Sequence, residues 1–77
     1  MSEKFTKIAI TTEYITLGQL LKFANVISNG GDAKFFIAEN NIFVNGEFCK
    51  MRGKKLRNGD QVVINHDLFF EIENAGQ

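Results

Sequence analysis

Apolar positions along this chain follow two rhythms, and the change between them divides it. From Thr16 to Glu39 the period is helical. Leu17, Leu20, Leu21 and Ala24 recur at offsets 0, 3, 4 and 7, one apolar stripe of an amphipathic helix. Lys22 and Asn25 fall off that stripe and are expected to face water or a ligand. Thr16 followed by Gln19 fits a capping box, and Ile15 and Leu20 hold the positions of a hydrophobic staple. Ala33, Phe36 and Ile37, at offsets 0, 3 and 4, predict a second helix. Asn29 is its expected N-cap, with Gly30-Gly31 a bare first turn. Asn40 or Asn41 is expected to end it in the left-handed conformation.

Elsewhere the pattern is that of strands. Lys4 to Thr12, with Phe5, Ile8 and Ile10, predicts a first strand that Glu13-Tyr14 connects to the helices. Ile42 to Val44 and Glu47 to Met51 flank Asn45-Gly46, a pair suited to a type I′ hairpin because both positions need positive φ. Arg52 to Asn58 is expected to be a basic loop with one apolar anchor, Leu56. Asn58-Gly59-Asp60 is a second turn signal, after which Val62-Val63-Ile64 predicts a buried strand. His66-Asp67 turns the chain into a last strand, Leu68 to Ile72, and a polar tail follows. With no repeat, linker or low-complexity tract, residues 1–77 are expected to form a single domain.

Composition narrows the class. Seventy-seven residues with 44% hydrophobic content support one core, near the lower limit of self-sufficiency. Eight Phe and no Trp suggest a core of phenylalanine and aliphatics. Cys49 is the one cysteine, which excludes an intrachain disulfide and a cysteine zinc cluster. No apolar run approaches the ~20 residues of a membrane span, and Met1-Ser2-Glu3-Lys4 lacks the form of a signal peptide. A cytoplasmic protein without a membrane partner is expected.

The net charge of zero conceals a segregation of sign. Lys50, Arg52, Lys54, Lys55 and Arg57 stand between Phe48 and Gly59 with no acid among them, while the remainder carries an excess of acid. Clustered cations repel one another, and a polyanion relieves that repulsion. From charge alone, a solvated loop and an anion-binding segment stand level.

The order Leu17-x-x-Leu20-Leu21, Asn29-x-x-x-Ala33-Lys34-x-x-Ile37, Val44-Asn45-Gly46 and Gly59-Asp60-x-Val62 resembles the S4 RNA-binding domain. Within that family it is most similar to small stand-alone S4-like proteins of bacteria, which often carry Gly-Gly before the second helix. The resemblance covers roughly residues 15–64, and its specificity lies in the ordered set of four rather than in any one motif. Asn29 stands where the family usually has Ser, an equivalent cap, and Phe35 stands where the family tends to be polar.

The resemblance implies an α+β, S4-like (alpha-L) domain, with two short helices packed on a small, mostly antiparallel sheet. It implies a protein that docks on structured RNA, ribosomal RNA first and transfer RNA second, as a ribosome-associated or ribosome-assembly factor. Carried over to this sequence, it assigns RNA contacts to Lys22, Asn29, Gly30, Lys34, Lys50, Arg52, Lys54, Lys55 and Arg57. No cofactor, metal or small-molecule substrate is expected. With no row of stacking aromatics, readout is expected to follow RNA shape.

Other chemistries find less in the residues. Gly30-Gly31 with Lys34 suggests a phosphate site at a helix start, but Asp32 already complements the dipole there, and the P-loop pattern is missing. His66 is an isolated turn histidine, Cys49 reads as a small buried hydrophobe, and Asp60 reads as a turn residue bonding its own backbone. Hence no catalysis is expected. Phe43 and Phe48 could stack on bases, with core packing assigned to at least one. A β-grasp sulfur carrier shares the Val-Asn-Gly hairpin and Gly-Asp turn, but its chemistry needs a C-terminal Gly-Gly where this chain reads Asn74-Ala75-Gly76-Gln77. A protein-interaction adaptor would use Phe35 and Leu68-Phe69-Phe70.

Overall fold

A computed structural model describes residues 5–29 and 31–75. Its elements in chain order are β1 (Thr6–Ile10), β2 (Ile15–Thr16), α1 (Leu17–Phe23), α2 (Asp32–Glu39), β3 (Ile42–Val44), β4 (Glu47–Phe48), β5 (Lys55–Leu56), β6 (Gln61–Ile64) and β7 (Leu68–Asn74). Five strands form one sheet in the order β1-β7-β6-β3-β4. All its pairings are antiparallel except β1 on β7. A separate two-stranded sheet joins β2 to β5, antiparallel, with Ile15 opposite Leu56.

Side chains alternate across a strand, so one face of the sheet is apolar and inward. Ile8, Ile10, Ile42, Val44, Val62, Ile64, Phe70 and Ile72 point to it and are buried. They merge with Leu17, Leu20 and Leu21 of α1, Ala33 and Ile37 of α2, and Ile15 and Leu56 of the small sheet in a single cluster. The expected α+β arrangement is therefore present. The aromatic core is not. Phe70 is the one phenylalanine in the buried cluster; Phe43, Phe48 and Phe69 alternate onto the outer face, and Phe23 and Phe35 lie exposed. Packing in the core falls mainly to Leu, Ile and Val, with Phe70 among them and Phe36 packed against the cluster. Core packing by Phe43 or Phe48 is likewise corrected: their rings meet edge to face at 5.5 Å on the outer side. Cys49 is half-buried against the cluster, as a small hydrophobe would be.

The start of α1 follows the sequence closely. Thr16 Oγ1 accepts from Gln19 N at 3.2 Å, and Gln19 Oε1 accepts from Thr16 N at 2.9 Å, both halves of the capping box. The staple residues Ile15 and Leu20 are both buried. The end of α1 is a Schellman motif: Val26 N donates to Leu21 O, Asn25 N donates to Lys22 O, and Asn25 takes φ 65. Asn25 thus closes the helix.

The ends of α2 differ from expectation. Its N-cap is Gly31, with Asp32 the first helical residue, and Asn29 lies outside, its Oδ1 accepting from Gly31 N at 3.0 Å. Gly30, expected in the first turn, lies outside the described residues. Asn40 is extended (φ −127) rather than left-handed. Side chains, rather than a reversal of the backbone, satisfy the last carbonyls: Asn40 Nδ2 donates to Phe36 O, and Lys50 Nζ donates to Ile37, Ala38 and Asn40 O.

Asn45 and Gly46 both have positive φ, 52 and 86, as the type I′ hairpin requires. Asn45 also ties this hairpin to the next turn, since Gln61 N donates to its Oδ1 and its Nδ2 donates to Asp60 Oδ1. Asp60 Oδ2 accepts from Arg57 N at 2.8 Å, the turn role read from sequence.

Candidate functional site

The basic segment is fastened before it is presented. Leu17 N donates to Lys54 O and Gly18 N to Arg52 O, both at 2.9 Å. Together with the Thr16 cap, these carbonyls occupy the first three amides of α1, which an unpaired helix start would leave open. Leu56 pins the far end of the segment, fully buried and paired with Ile15. Residues 52–57 therefore form a strap across the start of α1. Its backbone faces the protein, and the side chains of Arg52, Lys54, Lys55 and Arg57 are all exposed.

The strap brings distant cations together. Arg52 and Lys34 of α2 line one small pocket of about 270 Å³, with Ile37 and Lys50. Gly18 packs between the strap and α2, where a Cβ would make ordinary van der Waals contact with Arg52 at 3.5 Å and with Ala33 Cβ at 3.6 Å. Lys22 is exposed on α1. Arg52, Lys54, Lys55, Arg57, Lys22 and Lys34 thus come from three elements that pack on one another, although residues 22 and 57 are far apart in sequence.

Two of the expected contact residues, Lys50 and Asn29, are placed differently. The Lys50 ammonium donates to three carbonyls at 2.7, 3.2 and 3.0 Å. An ammonium has three donors, so Lys50 is committed to the end of α2, where a cation also suits the helix dipole. Asn29 is exposed and fastens the turn before α2 instead of capping it. Gly30 lies outside the described residues.

Sequence reasoning missed two aromatic members. Pairing of Ile15 with Leu56 sets Tyr14 beside Arg57, and the ring lies 5.0 Å from Lys55 Nζ and 5.6 Å from the Arg57 guanidinium. Such contacts hold long cationic side chains in place. Phe23, at the end of α1, stays largely in solvent. The signal that could have found Tyr14 is the matched apolar pair Ile15 and Leu56, too short to be read as a strand pairing without the fold.

Chemically, the surface offers cations and two aromatic rings. Among the described residues, no group of three or more His, Cys, Asp or Glu is placed to hold a metal ion. His66 sits in the β6–β7 turn with its ring 5.4 Å from Phe43. Among the described residues, no helix is long and apolar enough to cross a membrane.

Comparison with known proteins gives the same picture from another direction. The chain is 49% identical over 67 residues to a probable ribosome maturation protein, RlbA, of Bacillus subtilis (strain 168). That match spans 87% of this chain and 94% of the relative. The S4 domain model matches residues 8–72, from β1 to within β7, and takes in both helices, the Asn45-Gly46 hairpin and the strap. The chain belongs to the S4 domain family.

Proposed function

We propose that this protein binds structured RNA, ribosomal RNA foremost, and acts without catalysis in the maturation or assembly of the ribosome. The observation that carries this reading is the strap. Backbone bonds to α1 and the buried Leu56 fix the segment, while the side chains of Arg52, Lys54, Lys55 and Arg57 stay exposed and Arg52 shares a pocket with Lys34. Lysines and arginines on such a frame neutralise phosphates and release counterions, an attraction independent of sequence. Family membership and the ribosome-maturation name of the Bacillus subtilis relative support the choice of RNA and of the ribosome. Because its donors are already taken, Lys50 holds α2 in place in this reading, and Asn29 shapes the turn before it.

Crosslinking in cells followed by sequencing of the bound RNA tests the reading. Ribosomal RNA, and precursor forms in particular, is expected to dominate the recovered reads. A folded protein that fails to bind ribosomal or transfer RNA at low salt would overturn it.

A further inference from the structure

Tyr14 is the single tyrosine of the chain, and it stands where two features meet. Lys55 and Arg57 of the strap lie over its ring, yet the residue remains 37% exposed. It also lines a groove of about 1050 Å³ between the β1–β2 connection and α1, a groove that Lys22 and Phe23 share. Phe23 is 62% exposed, so the groove holds apolar ring surface that the protein core does not cover. Thr11, Gln19 and Glu13 add polar groups to the lining.

We propose that this groove takes one unpaired nucleotide of RNA, its base against Tyr14 and Phe23 and its flanking phosphates on Lys22, Lys55 and Arg57. The inference rests on the RNA reading above and sharpens it. Every base has a π-face, and aromatic side chains beside cations form the usual platform for an unstacked base. Ligand pockets typically span roughly 300–1,000 Å³, so a groove of this size admits a nucleotide. Glu13 suits this occupant better than a bare phosphate, because a carboxylate accepts from the exocyclic amino group of a base. In a duplex the bases remain stacked inside, so the groove selects bulges, loops and single strands. Shape readout by the strap and capture of one splayed base then act side by side.

The test compares two RNAs, a blunt-ended duplex of two fully paired strands and the same duplex with one bulged nucleotide. With no tryptophan in the chain, tyrosine emission reports on the groove directly. The bulged RNA is expected to bind about tenfold more tightly and to quench that emission. Tyr14→Ala and Phe23→Ala are each expected to abolish the preference, and Tyr14→Phe to retain it. A thermal melt of each variant verifies folding, and the wild-type comparison stands without them. Equal affinity of the wild-type protein for the two RNAs overturns the nucleotide pocket while leaving RNA binding by the strap intact. Binding of neither RNA at low salt removes the underlying reading and this inference together.

Discussion

The ammonium of Lys50 lies 2.7 Å from the carbonyl oxygen of Ile37, thirteen residues earlier in the chain. This bond, with those to Ala38 and Asn40, ends α2 without a left-handed residue and joins the strap's approach to the helix it flanks. One member of a conspicuous run of cations is thus a structural cap. Its neighbours remain free to act on the surface.

Lys50→Met keeps the aliphatic stem and removes the ammonium. Charge-assisted hydrogen bonds contribute about 1.5–3 kcal/mol when partly buried, and these are mostly exposed, so a loss of about 1–2 kcal/mol is expected. In a domain of this size that lowers Tm by roughly 5–15 °C, measurable by circular dichroism. Below the melt, the salt dependence of RNA binding should match that of the wild type. A lower salt slope at unchanged Tm would reverse the assignment.

Lys54→Ala with Lys55→Ala tests the strap as a phosphate-binding surface. The log–log slope of RNA affinity against salt should fall by about one to two units. Stability should change by no more than about 0.5 kcal/mol, since both side chains are exposed. Lys7→Ala is the control, because Lys7 pairs with Glu71 in register on the outer face of the sheet. Its slope should equal that of the wild type. Equal losses from both changes would mean that only diffuse charge is at work.

Leu21→Ala and Leu56→Ala should each cost about 2–5 kcal/mol, because both side chains are fully buried in one cluster. A small domain has roughly 3–5 kcal/mol to spare, so both proteins should be largely unfolded near 37 °C. Leu56 is the more telling site, since a loose surface loop would tolerate the change. A cooperative melt at the wild-type temperature would show that the strap is not anchored.

Asn25 has φ 65 at the end of α1, where a Cβ is tolerated poorly. Asn25→Ala should destabilise by about 1 kcal/mol, whereas Asn25→Gly should lie within about 0.5 kcal/mol of the wild type. Chemical denaturation of the three proteins separates these outcomes. Equal losses from both substitutions would point to a lost side-chain contact instead of backbone strain.

Local chemistry alone determined much of this molecule. The Thr16–Gln19 box, the Leu17, Leu20 and Leu21 stripe and the Asn45-Gly46 turn depend on neighbours within a few residues, so they were legible in the chain. The segregation of charge was equally plain, being a property of sequence. What required tertiary structure was every choice between equivalent residues. Several asparagines could end a helix; Asn25 closed α1 with a left-handed residue, whereas α2 ended on side-chain donors from Asn40 and Lys50. Five cations looked alike, and only long-range contact distinguished Lys50 from Arg52, Lys54, Lys55 and Arg57. Tyr14 joined them through a pairing of just two residues with β5, 41 positions away, which short-range pattern cannot register. Spacing along the chain reports which face a residue presents; which partner reaches it first is decided by packing.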